Sequence, residues 1–206
     1  MFTAAEFLMH EPLPLHRVQE AIMVFCRGRG DAVVFGAQAV NVYVDLPRMS
    51  QDVDLLSANP AALAAALAQS LAASFHIATR VREVGAGKGF RVYQIRKEGN
   101  RHLADVRLAE FSLDDAVELD GVRYVSLPIL TALKVKALSL RRLAPKGGTD
   151  LADLRRLLIA HPELRAVEGP VAEALGTVGA SAEAREVWRE LVEAPAISDE
   201  DADAGY

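Results

Sequence analysis

The sequence predicts an α+β fold, a mixed-sheet core with a helical region at its C-terminal end. Three observations carry this. Helix-like and strand-like stretches alternate over the first 75 residues, the apolar period then falls to two between glycine-containing turns, and helical spacing returns from residue 128. Helices gathered at one end of a largely antiparallel sheet are the usual α+β arrangement.

Each element follows from local chemistry. Residues 13–29 read as a helix, because Leu15, Val18, Ala21, Ile22 and Phe25 recur on one face and Gly28 and Gly30 end it. Residues 32–35 form a short apolar run suited to a buried strand, and Gly36 closes it. Residues 37–44 read as a short helix that Pro47 terminates. Residues 52–56 alternate polar and apolar as a half-buried strand does, and Asn59-Pro60 opens an alanine-rich helix to about residue 74. Residues 76–84, 90–97 and 102–109 read as strands, with turns at 85–89 and 99–100, and a short strand follows at 122–125. Helices with breaks at 145–148, 161–162, 169–170 and 176–180 then run to residue 193. The expected division is a core over residues 1–126, a helical region over 127–198, and an acidic, disordered tail over 199–206.

Composition narrows the class. Of 206 residues, 51% are apolar and 25% charged, as in ordinary globular proteins. A single cysteine, Cys26, rules out an intrachain disulfide and fits a reducing, cytoplasmic compartment. The longest apolar stretch is mostly alanine and short of the ~20 residues a membrane-spanning helix needs, so no membrane role is expected. The net charge of −5 is unevenly spread: residues 1–150 carry +2, and residues 80–107 hold 8 basic against 3 acidic side chains. That basic run either faces a polyanion or is the solvated face of a hairpin.

Asp52 and Asp54 are one residue apart on a predicted strand, so both carboxylates leave the same face. Their mutual repulsion calls for a compensating cation, and oxygen ligands suit Mg²⁺ or Mn²⁺. Such a pair also occurs as solvated acids at an exposed strand end. The context favours a ligand, since Gly36 lets backbone approach closely and the helix after it offers N–H groups to phosphate.

Residues 33–41 (VVFGAQAVN) and 47–55 (PRMSQDVDL) together resemble the signature of nucleotidyltransferase-fold (polymerase beta-like) proteins, in particular the AbiEii/AbiGii toxin group and the MenT toxins. Gly36, Arg48, Ser50, Asp52 and Asp54 match that pattern, and Ala37 stands where glycine or serine is usual. A second block resembles the same group: Lys134 and Arg141 on a predicted helix, then Asp150 and Asp153. The resemblance spans about residues 30–158.

The resemblance implies a site. Asp52 and Asp54 hold the metal against a nucleoside triphosphate. A third acid on a later strand either binds a second metal or acts as base. Asp105 is the best candidate, with an ion pair to Arg107 as the other account of it; Asp114 and Asp115 rank lower, in a loop or helix start. Gly36 and Ala37 cradle phosphate, with Arg48 and Ser50 as further contacts. Lys134 neutralises the leaving phosphates, although a lone lysine on an amphipathic helix is more often a surface residue. Arg141 shares its helix face. Thr149 reads as a helix N-cap, and Asp150 after it either stabilises the first turn or orients Lys134 or a metal-bound water.

The implied activity is transfer of a nucleoside monophosphate from NTP to an acceptor hydroxyl, on an RNA or tRNA 3′ end or on a protein, with a cognate antitoxin as a partner. An inactive binding or antitoxin-like module and a small-molecule, antibiotic-type nucleotidyltransferase are the alternatives. The histidines His10, His16, His76, His102 and His161 show no zinc-ligand spacing, and residues 85–89 read as a hairpin loop rather than a P-loop.

Overall fold

The computed structural model describes residues 13–195; His10 and the predicted tail at 199–206 lie outside the described residues. The described chain forms two compact units. One comprises residues up to 38 together with 49–125, and the other 39–48 together with the chain from 126 onward.

The first unit is built on a mixed sheet. Its strands are β1 (Val33–Phe35), β2 (Val53–Ser57), β3 (Thr79–Val84), β4 (Gly89–Gln94), β5 (Arg101–Leu108), β6 (Val117–Leu119) and β7 (Val122–Tyr124). Their order is β3-β4-β5-β2-β1-β7-β6. β2 runs antiparallel to β1 and parallel to β5, and β1 runs parallel to β7. β3, β4 and β5 form an antiparallel meander whose first turn is the glycine-rich segment at 85–89, a hairpin loop as its position between two period-two stretches implies.

Two helices cover one face. Helix α1 (Leu15–Cys26) buries Val18, Ile22 and Cys26. The second of these covering helices, α3 (Pro60–Phe75), follows the short helix α2 (Gly36–Tyr43) in chain order and buries Leu63, Leu67 and Leu71. These side chains meet Val34, Val53, Leu55, Val92, Ala104 and Val106 from the sheet. Asn59 caps α3, its side-chain oxygen accepting from the Ala62 N–H at 3.3 Å, with Pro60 in the first turn. Because side chains alternate, residues 54, 105 and 107 point away from this core. Burial pushes the Cys26 thiol up to about 12, so it is a packing residue and not a nucleophile.

The second unit is helical: α4 (Leu127–Arg141), α5 (Pro145–Ala160), a 3₁₀ turn (Pro162–Leu164), α6 (Pro170–Thr177) and α7 (Ala182–Glu193). Leu130, Val135, Leu154, Leu157, Leu175 and Trp188 are its largely inaccessible core, and the Trp188 indole N–H donates to the Ala166 carbonyl at 3.2 Å. One expectation is corrected. Thr149 is not an N-cap, because α5 starts four residues earlier, with Pro145 in its first turn and Ala144 before it. Proline's fixed φ suits that position, and the two glycines stay helical. Asp150 therefore lies inside the helix and is 2% exposed.

The α4–α5 corner depends on one of these glycines. A Cβ on Gly147 would lie 2.3 Å from the Arg141 carbonyl oxygen, whereas one on Gly148 would meet nothing within 4 Å. Gly147→Ala should lower stability in urea unfolding by about 1–3 kcal/mol. Gly148→Ala, on the exposed side, should be neutral or stabilising by up to ~1 kcal/mol. Equal effects of the two would contradict this account of the corner.

Candidate active site

β1 ends at Phe35 and the chain turns at once into α2 through Gly36, whose φ is +68°. Only glycine adopts this left-handed conformation without strain. The glycine also makes room for an acid. A Cβ at position 36 would lie 2.1 Å from one carboxylate oxygen of Asp54 and 2.8 Å from its Cγ. The glycine in the signature thus lets the Asp54 carboxylate lie against the backbone where the helix begins.

The sheet register aligns the acids. Phe35 pairs with Asp54, Asp54 with Asp105, Asp105 with Arg91, and Arg91 with Arg82. These residues form one row across five strands, on the face opposite α1 and α3. Asp105 was the sequence candidate for the third acid, and it lies directly beside Asp54 in parallel register. Asp114 and Asp115 are exposed in a turn, where the Ser112 hydroxyl donates to Asp114 at 2.6 Å.

Asp52 immediately precedes β2. The Ser50 hydroxyl donates to the Asp52 carbonyl at 2.9 Å and lies 3.4 Å from its carboxylate, and the Gln19 amide donates to the Ser50 carbonyl at 2.6 Å. Ser50 therefore orients Asp52.

His102 completes the group, and the sequence reading set it aside. On a regular strand, residues 102 and 105 would face opposite sides. The pairing of β4 with β5 shifts between Val92 and Tyr93: Val92 faces Ala104, but Tyr93 faces His102. Leu103 is the extra residue of this bulge and is buried. The bulge re-aims His102 onto the acid face, as bulges beside functional sites do. Its Nδ1 lies 3.1 Å from Asp52 and its Nε2 3.1 Å from Asp105, while the Tyr93 ring stands 5.2 Å away between centroids. Ligand atoms of Asp52, His102 and Asp105 all lie within 4.8 Å of one another.

Charge compensation follows this geometry. Hydrogen bonding to Asp105 and then Asp52 raises the His102 pKa to about 10 against the opposing effect of burial, so both ring nitrogens donate. For Asp105, burial pushes the carboxyl upward, but the His102 hydrogen bond and charge, with Arg107 and Arg91, outweigh it and hold the pKa below the ordinary range. Arg91 donates to Asp105 at 3.0 Å. Arg107 lies 3.5 Å from Asp105 and 3.9 Å from Asp54, and also packs over the Phe35 ring at 5.5 Å.

The remaining sequence candidates belong to the helical unit, where they form a second network. Lys134 donates to Asp153 at 2.6 Å and to Asp150 at 3.4 Å. Arg141 pairs with Asp150 at 2.7 Å, so Lys134 and Arg141 do share a face. Arg48 forms a two-point pair with Asp153 at 2.6 and 2.8 Å, and Asn41 fixes the Arg48 backbone through two hydrogen bonds of 2.9 Å. Arg48 and Ser50, two residues apart in the signature, thus act in different units. Burial pushes the Asp153 carboxyl upward, but hydrogen bonding from Arg48 and the charge and hydrogen bond of Lys134 outweigh it and hold it below the usual range.

With this geometry in view, comparison with known proteins is informative about the fold. No protein-family profile and no curated protein matches the chain. Among solved structures it is similar to the Megavirus polyadenylate synthase, at 15% identity and a TM-score of 0.56 over 71% of this chain and 31% of that one. The chain therefore spans about a third (31%) of that protein's length. It is also similar to JHP933 from Helicobacter pylori, at 11% identity and a TM-score of 0.50 over 100% and 97% of the two chains. A looser likeness, TM-score 0.43 at 16% identity over 94% of both chains, is to an antigenic nucleotidyltransferase-like protein from Paracoccidioides brasiliensis. The fold is that of the nucleotidyltransferases.

Gly36→Ala should displace the Asp54 carboxylate and strain the turn at once. Unfolding should show a loss of about 1–3 kcal/mol, and a crystal structure of the variant should show Asp54 moved. An unmoved Asp54 would contradict the close packing. A second prediction concerns pH. Because the folded pKa of Asp153 is depressed, its contribution is complete at neutral pH and is lost as pH falls below about 4. Asp153→Asn should cost about 3–5 kcal/mol at pH 7 by leaving buried cations unpaired, and the gap to wild type should narrow in acid. A gap independent of pH would refute the assignment.

Proposed function

We propose that this chain is a divalent-cation-dependent nucleotidyltransferase that moves a nucleoside monophosphate from a nucleoside triphosphate to an acceptor hydroxyl. The observation that carries the reading is the row of acids. Asp54 and Asp105 stand side by side in register, Asp52 joins Asp105 through His102, and Gly36 opens a helix against Asp54. Fold alone does not assign chemistry; this acid row is a feature with chemical content.

The donor set fits a divalent ion. Asp52, Asp54 and Asp105 offer hard oxygen ligands, and their repulsion is offset in the protein by the chain's own cations His102, Arg91 and Arg107. Asp52, Asp54 and Asp105 would hold Mg²⁺ or Mn²⁺. Such ions neutralise charge on the attacking and leaving oxygens of an in-line displacement.

The chain's own residues supply positioning. The start of α2, from Gly36 and Ala37, presents backbone to the phosphates. Arg107 and Arg91 supply fixed positive charge beside the acids. A cavity of about 240 Å³ is lined by Lys88, Arg91, Asp105 and Arg107, and another of about 480 Å³ by Gln51, Arg96, Arg101 and His102. In the reaction the acceptor hydroxyl gives its proton to solvent, its oxygen bonds to the α-phosphorus, the bond from that phosphorus to the bridging oxygen breaks, and pyrophosphate leaves. Asp105 already accepts from His102 and Arg91 and lies near Arg107, so it is assigned to holding cations and not to proton removal. Ser50 keeps Asp52 in place. The phosphate role of Lys134, with Arg48, Arg141 and Asp150 as nucleotide contacts, rests on the family resemblance, and the proposal retains it on that ground.

An RNA acceptor is favoured over a protein one. Arg82 and Arg91 continue the acid row along the sheet, and Arg80 and Arg82, both exposed, give that edge a positive face suited to a phosphate backbone. Membership of a toxin–antitoxin pair is what the resemblance adds.

The test is incubation with each labelled nucleoside triphosphate, Mg²⁺ or Mn²⁺, and total bacterial RNA. Wild type should label RNA with one or more nucleotides. Asp52→Asn with Asp54→Asn should reduce labelling by at least ~1,000-fold, the scale expected when the electrostatic core of an active site is removed. Label on protein would move the acceptor to a side-chain hydroxyl. No label anywhere, with no nucleotide bound, would leave the inactive binding module.

A further inference from the structure

We infer that His102 is a direct metal ligand and that it makes this site select first-row transition ions such as Mn²⁺ over Mg²⁺. The inference rests on the metal-holding role proposed above for Asp52 and Asp105 and adds a nitrogen donor to it.

Three observations converge on this assignment. The imidazole lies between the two carboxylates, 3.1 Å from each, with one ring nitrogen toward each acid. One donor atom from each of the three residues falls within 4.8 Å of the others, near enough for small side-chain shifts to bring all three onto one ion. The placement is also built into the backbone. The bulge at Leu103 brings His102 onto the acid face, and the tilted Tyr93 ring at 5.2 Å packs beside it. A histidine serving only as a hairpin surface residue needs none of this. His102 is half-buried and confined, which lowers the entropy cost of fixing it as a ligand.

Donor chemistry then sets the preference. Mg²⁺ is small and hard, takes oxygen ligands in octahedral geometry and gives up water reluctantly. Imidazole nitrogen is a softer donor that suits transition ions, and affinities of mixed nitrogen–oxygen sites rise along the first row from Mn²⁺. The three carboxylates with an added imidazole therefore favour Mn²⁺ or Co²⁺ where the carboxylates alone would accept Mg²⁺ as well. On coordination the ring nitrogen's proton goes to solvent, and the ion takes over the compensation of Asp52 and Asp105.

The probe is Mn²⁺ alone, bound to the full chain and read by electron spin echo envelope modulation, with affinities from Mn²⁺ titration and Mg²⁺ competition. Wild type should bind Mn²⁺ at least ~10-fold more tightly than Mg²⁺ and show nitrogen modulation from a coordinated imidazole. His102→Ala should lose the modulation and most of the Mn²⁺ preference while Mg²⁺ affinity changes little. Because the wild-type spectrum is diagnostic by itself, a variant that fails to fold does not decide the matter. Bound Mn²⁺ without nitrogen modulation would overturn the ligand role of His102 and leave a carboxylate-only metal site. Modulation surviving in His102→Ala would also overturn it, by placing the nitrogen on another histidine. Absence of bound Mn²⁺ at millimolar concentration would remove both the ligand role and the metal site.

Discussion

Repulsion among Asp52, Asp54 and Asp105 is the constraint around which the sheet unit is arranged. Asp54 and Asp105 are fixed beside each other by strand register, and Asp52 is fixed by Ser50 and the turn before β2. Carboxylates held this close need positive charge between them. The protein supplies it from the same sheet: His102 between two acids, Arg91 on Asp105, and Arg107 close to Asp54 and Asp105. Three clustered acids surrounded by positive side chains give the charge pattern on which the proposed binding of a metal ion and a triphosphate rests.

The same principle recurs, with a different outcome, in the helical unit. Asp150 and Asp153 are nearly inaccessible, and Lys134, Arg141 and Arg48 satisfy them at short distances. There the compensation is closed and buried, with Lys134 itself only 9% exposed. Breaking such a network leaves an uncompensated charge, which is why one removed partner costs several kcal/mol. Two of the three sheet acids are more accessible: Asp52 and Asp54 are 28% and 21% exposed at their side chains, whereas Asp105 is buried.

Much of this was legible in the sequence. The alternation in residues 52–56 identified β2, and the glycine at 36 marked the strand-to-helix turn. The resemblance implies a third acid on a later strand, and the period of two over residues 102–109 pointed to Asp105, which pairs in register with Asp54. The histidine was not legible: period two puts residue 102 on the opposite face from 105, and only the bulge at Leu103 reverses that. Pairing irregularities are set by the neighbouring strand and leave no local trace. β6 was also missed, since Val117-Glu118-Leu119 alternates over only three residues, all exposed, too short a run to read as a strand. The start of α5 was misread because Thr149 resembles a cap, while the helix had already begun at Pro145. The second role of Gly36, leaving room for Asp54, depends on how closely β2 approaches the turn, which local sequence does not encode.

The central claim is that the acid row binds nucleotide through a divalent ion. It is tested most directly by calorimetric titration of the protein with non-hydrolysable analogues of the four nucleoside triphosphates, with and without Mn²⁺ or Mg²⁺. The account predicts binding of at least one analogue that strengthens by at least ~10-fold when the ion is present, and an Asp54→Asn variant whose affinity with the ion matches that of wild type without it. Affinity that is the same with and without the ion, and unchanged by Asp54→Asn, would contradict it.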